Sequence, residues 1–139
     1  LDINTLIKFI FYQILGGMSA IIITHYIFEI SIFQISTNHR GEFPLLVSEI
    51  IATCGLLLTI LFVRKSNPNS VGTAVALFIT AGYWFTSSTS FANPMVTLAR
   101  IFTNTFTGIA PESVAYFISG QIIAIFISKY IYEKFAEKN

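Results

Sequence analysis

The sequence is poor in charge and in reactive side chains. Only 11% of its 139 residues are Asp, Glu, Lys or Arg, against about 25% in a soluble domain. Eight basic and seven acidic residues leave a net charge of +1, which implies no electrostatic partner, and no nucleic-acid-binding pattern is present. A single cysteine, Cys54, excludes an internal disulfide. Two histidines without paired ligand spacing point to no metal site. No nucleophile, base and orienter occur together, so neither a catalytic residue nor a cofactor is expected. What is abundant is apolar bulk. The chain is 54% hydrophobic with 14 Phe, and its mean hydropathy is +0.72. That composition is expected of an all-α integral membrane protein, with the lipid bilayer as its surroundings.

A membrane core needs about 20 apolar residues per helix. Four segments approach that length, at 5–28, 44–63, 71–85 and 112–132, and a fifth, at 94–106, is too short to span. Polar loops at 36–41 and 64–70 separate the early spans, and Pro111 with Glu112 marks the start of the last. Arg64, Lys65, Lys129, Lys134, Lys138 and Lys8 fall on one side if the first span begins there, with Arg40 and Arg100 opposite. By the positive-inside rule both termini are expected in the cytoplasm. Small residues recur every fourth position: Gly16, Ala20 and Thr24, then Gly72, Ala76 and Thr80, then Gly120, Ala124 and Ser128. Such stripes let helices approach closely in lipid and predict a tight bundle.

The most informative stretch is 86–104. A polar run, Thr86-Ser87-Ser88-Thr89-Ser90, dives into apolar sequence and ends in Asn93-Pro94. Asn is a preferred N-cap and Pro is tolerated at the first helical position, so a short helix is predicted to begin at Pro94. Irregular backbone at membrane depth survives only where protein or a water-filled cavity covers it. The stretch therefore predicts a polar path through the bilayer.

At Ser90-Phe91-Ala92-Asn93-Pro94-Met95-Val96-Thr97 the chain resembles the major intrinsic proteins, the aquaporins and aquaglyceroporins, with Met95 in place of the Ala of Asn-Pro-Ala. Gln13-Ile14-Leu15-Gly16-Gly17 is similar to the Gln-x-x-Gly-Ala of that family's third helix, and Glu49-Ile50-Ile51-Ala52-Thr53 to the Glu-x-x-x-Thr of its fourth. The resemblance implies an aquaporin-like helical bundle, here the third helix plus a complete second half with its re-entrant half-helix. The first two helices and the first half-helix are then expected upstream of Leu1, making this a piece of a longer protein. The run at 81–94, with Ala99-Arg100 and Phe106-Thr107-Gly108-Ile109, is similar to a bacterial branch often encoded beside arsenic-resistance genes, which implies the bacterial inner membrane.

The resemblance implies a passive channel for small uncharged solutes: water, glycerol-like polyols, and neutral metalloid hydroxides such as arsenite. Protons and ions are excluded, and the family state is a homotetramer. Asn93 caps the half-helix and offers its amide to solute, and Pro94 is structural. Met95 either presses on the missing half-helix or fills space. Val96 stands where most members have a filter Arg, Ala81 at the position that is His or Gly elsewhere, and Ser90 at a loop position lining the filter. The carbonyls of Ser90, Phe91 and Ala92 supply acceptors. Arg100 either reaches the outer vestibule or snorkels to headgroups. Glu49 is expected to accept backbone N–H bonds from the re-entrant loop near Ser90. His25 and Glu29, one turn apart, read as a helix-end pair. The alternative is an ion-coupled secondary transporter, for which Glu49 offers no clear cationic partner.

Overall fold

A computed structural model describes residues 2–136; Lys138, counted above for orientation, lies outside them. Helix α1 (Ile3–Ile27) starts at Asp2, whose carboxylate accepts from the Thr5 N–H at 2.8 Å. It ends where Glu29 takes a left-handed φ of 54°. The Ile30 N–H then folds back onto the His25 carbonyl at 3.0 Å and the Glu29 N–H onto Tyr26 at 3.2 Å, a Schellman-type stop without glycine. Helix α2 (Phe43–Ser66) carries Pro44 in its first turn. A 3-10 turn, Pro68–Ser70, leads into α3 (Val71–Phe85). Helix α4 (Pro94–Ala99) is short. Pro111–Ser113 forms a 3-10 turn that opens α5 (Val114–Ala136).

Among the described residues three helices, Ile3–Ile27, Phe43–Ser66 and Pro111–Ala136, are long and apolar enough to cross a membrane. The fourth expected span, 71–85, forms α3 at those bounds; its 15 residues rise about 22 Å at 1.5 Å per residue, less than the three others. Its end is closed by Thr86, whose N–H and hydroxyl both donate to the Gly82 carbonyl, at 3.1 and 2.7 Å. The short helix stops early. It tightens to a 3-10 turn over Arg100–Phe102 rather than running to 106. The reason is long-range. The Arg100 carbonyl accepts from the Ile109 N–H at 3.2 Å and the Ile101 carbonyl from the Ser36 N–H at 2.8 Å, so neither continues the helical ladder.

Helices α2 and α5 form the closest pair. Gly120 makes this possible: a Cβ there would sit 3.1 Å from the Leu46 carbonyl oxygen. Ala52, Ala124 and Ser128 are buried in the same seam. Helix α3 packs on α2, where Gly55 leaves room for the Phe78 ring. Helix α4 lies between α1 and α5. The three stripes of small residues thus have different fates. That of α5 is buried, whereas Gly16 and Gly72 have open space beside them and Ala20, Thr24, Ala76 and Thr80 are exposed. The stripe motif states that close approach is possible, not which helix provides the other surface. The apolar centre is Phe91, Ile109 and Phe117, with Leu45, Val96, Ile101 and Val114 against them.

Candidate functional site

Between α3 and α4 the chain is irregular, and its backbone is strained. Thr89, Ser90 and Ala92 have φ of 60°, 49° and 50°, a left-handed region that costs a non-glycine residue of order 1 kcal/mol or more. Three such residues in four positions persist only if the surroundings hold them. The holding groups are identifiable. The Glu49 Oε1, fully buried on α2, accepts the Ala92 N–H. The bond expected near Ser90 thus comes from the backbone N–H of Ala92, two residues on. The same oxygen accepts from Gln121 Nε2 of α5 at 2.9 Å, and Gln121 Nε2 also donates to Thr97 Oγ1 of α4 at 2.9 Å. The Thr97 hydroxyl in turn donates to the Asn93 carbonyl at 3.0 Å. A closed ring of hydrogen bonds therefore surrounds Asn93-Pro94 and ties α2, α4 and α5 to the loop.

Asn93 is the N-cap of α4, its Oδ1 accepting from the Met95 N–H at 2.8 Å, with Pro94 at the first helical position. Its amide Nδ2 donates to Gln13 Oε1 of α1 at 3.4 Å. Among the described residues no donor reaches the carbonyl oxygens of Ser90, Phe91 or Ala92. Ser90 packs against Gly82 of α3, where a Cβ would meet its Oγ at 2.8 Å; this Oγ, like Glu49 Oε2 and Gln121 Oε1, is buried without a partner among the described residues. The Phe91 side chain points into the apolar centre, 4.8 Å from the Phe117 ring centroid.

The predicted site residues do not all meet. Val96 and Arg100 line a cavity of about 300 Å³ between α1 and the 96–107 segment, facing Gly17, Ala20, Thr24 and His25. Asn93, Met95 and the acceptor row lie outside that lining, and Ala81 is exposed on α3. The Arg100 guanidinium turns inward. Its Cζ stands 4.5 Å from the Phe91 ring centroid and its Nη1 donates to the Thr107 carbonyl at 3.2 Å. His25 is not paired with Glu29. It is buried, with Nδ1 on the Ile32 carbonyl at 3.0 Å and Nε2 on Thr103 Oγ1 at 2.9 Å, while Glu29 is exposed and ends the helix through its backbone.

Sequence reasoning missed Gln121, Thr97 and Arg40. Gln121 had a signal, since it stands alone as an amide in the apolar run 114–127. Arg40 had none beyond its charge. Its Nη1 donates to the Ser88 carbonyl at 3.0 Å and Thr89 Oγ1 at 3.3 Å, and its Nη2 to the Phe106 carbonyl at 3.3 Å. Burial, with the nearby Arg100 charge, holds its guanidinium below the usual arginine range, though it stays a cation at neutral pH.

Apolar helices around a broken, side-chain-anchored helix connection define an all-α membrane protein of the aquaporin-like type. The chain is 38% identical over 115 residues to aquaglyceroporin AqpS of Rhizobium meliloti (strain 1021), a match covering 83% of this chain and 49% of that protein. It belongs to the major intrinsic protein family, and it spans about half the length of the curated relative it matches. No family model and no solved structure matches.

Proposed function

We propose that this chain forms one half of the wall of a passive channel for small uncharged solutes. The observation that carries the proposal is the strained segment 89–92, held by Glu49, with the three unclaimed carbonyls of Ser90, Phe91 and Ala92. Backbone this costly persists at sites where it has a use, and a row of acceptors beside the capped Asn93 suits hydroxyl-bearing or water-like solutes. The name of the rhizobial relative supports glycerol-like polyols. A neutral Val96 and a small Ala81 at the filter positions suit solutes larger than water, glycerol and neutral metalloid hydroxides such as arsenite among them. Protons and ions are excluded. The second half of the wall comes from a segment outside these residues, the assembly is a homotetramer, and the termini face the cytoplasm of a bacterial inner membrane.

The test is stopped-flow swelling of proteoliposomes holding the complete protein that carries these residues. Downhill, unsaturable flux of glycerol, independent of ion gradients, is expected; saturable, ion-dependent flux would instead indicate a coupled transporter. Val96→Arg should suppress glycerol, urea and arsenite flux at least tenfold while sparing water. Unchanged rates would refute the filter assignment.

A further inference from the structure

A row of unclaimed carbonyl oxygens attracts cations as readily as it accepts hydroxyls. The channel proposed above therefore needs a positive element near 90–92, and Val96 does not supply one. The geometry points to Arg40, from the segment between α1 and α2, as that element, acting with Arg100 as a specificity-determining residue; this rests on the channel reading.

Two guanidiniums share one phenyl ring. Arg40 Cζ lies 5.4 Å and Arg100 Cζ 4.5 Å from the Phe91 centroid, and Arg40 is also 6.0 Å from that of Phe117. Phe91 is the central residue of the acceptor row. Arg40 is locked in place at both ends. Its backbone N–H donates to Ser113 Oγ at 2.8 Å, and its guanidinium is spent on the Ser88 and Phe106 carbonyls and the Thr89 hydroxyl. None of these partners is anionic. Among the described residues the ion pairs are His39 with Glu112 and Lys129 with Glu133, and the one carboxylate nearby, Glu49, is bound to Ala92 and Gln121 instead. Among the described residues neither guanidinium is ion-paired, and both lie against the ring of the residue at the centre of the free carbonyl row. The cationic barrier is moved from the residue after the Asn-Pro motif to a clasp closed on Phe91 from two loops.

The test compares K⁺ and glycerol flux in the same proteoliposomes, using the complete protein. The readout is their ratio, which does not depend on how much protein inserts. One charge removed at close range in partly desolvated surroundings is worth roughly a tenfold change in cation flux. Arg40→Gln should raise the K⁺-to-glycerol ratio by about that factor, and Arg40→Lys, which keeps the charge but not the fork, should leave it near the wild-type value. Arg100→Gln, reaching the same ring from the other side, carries the same expectation and serves if Arg40→Gln does not fold. An unchanged ratio in the glutamine variants, or a rise in Arg40→Lys equal to that in Arg40→Gln, would overturn the assignment. Wild-type protein that passes no glycerol would instead defeat the channel reading beneath it.

Discussion

Replacing Glu49 by Gln should release the loop while changing almost no volume. Glu49 Oε1 accepts two N–H groups, from Ala92 and from Gln121. A hydrogen bond to a charged acceptor contributes about 1.5–3 kcal/mol and a neutral one about 0.5–1.5. Two such bonds weakened together cost about 2 kcal/mol. The new amide NH₂ occupies the place of Oε2, which has no partner among the described residues, and an unsatisfied buried donor adds about 1 kcal/mol or more. The sum, about 3 kcal/mol, opposes residues that already carry backbone strain at Thr89, Ser90 and Ala92. Local opening governs amide hydrogen exchange, and 1.4 kcal/mol is a factor of ten. Amides in a peptide covering 88–96 should thus exchange roughly 100-fold faster in Glu49→Gln, while a peptide from the lower half of α2 stays as protected as before. Acceleration under threefold at 88–96 would show that the carboxylate does not hold the loop, and the ring of bonds around Asn93 would lose its meaning.

Two glycines offer independent checks. Gly82→Ala drives a methyl into Ser90, 2.8 Å from its Oγ and 3.1 Å from its Cβ; overpacking of this kind costs about 1–3 kcal/mol. Ser90→Gly in the same chain removes the obstacle and suits the left-handed φ, so the double variant should recover the thermal midpoint that the single one loses. Gly108→Ala collides with the Thr103 backbone carbonyl as well as Ser36 Oγ, and backbone cannot rotate aside. That variant should melt earlier than Gly82→Ala and should not be restored by Ser36→Ala.

How far the sequence carries can be seen residue by residue. The start of α4 was legible because a cap is a local device: Asn93 and Met95 are two residues apart, and Pro94 needs no partner at all. The start of the last helix at Pro111 was legible on the same grounds. Glu49 could be singled out because a lone carboxylate in an apolar helix must be satisfied, and its partner, expected in the loop near Ser90, is the backbone N–H of Ala92 two residues on. The end of α4 was not legible. It depends on N–H groups from Ser36 and Ile109 capturing its last carbonyls, and nothing in the sequence of 94–106 announces them. The His25–Glu29 pairing failed similarly, because Thr103, 78 residues away, competes for the imidazole.

Local chemistry alone determined that the chain belongs in a membrane, where its helices begin, and that a short helix starts at a capped Asn-Pro. Water is absent from lipid, so the spacing of apolar runs and the rules of helix caps leave few other outcomes. Tertiary structure alone decided how the break is held. Gln121 meets Glu49 across 72 positions of sequence, Arg40 reaches Ser88 across 48, and the Arg100 guanidinium turns inward onto the Phe91 ring. Those contacts exist only once the helices have packed, because a buried polar or charged group takes its partner from whatever the fold brings beside it.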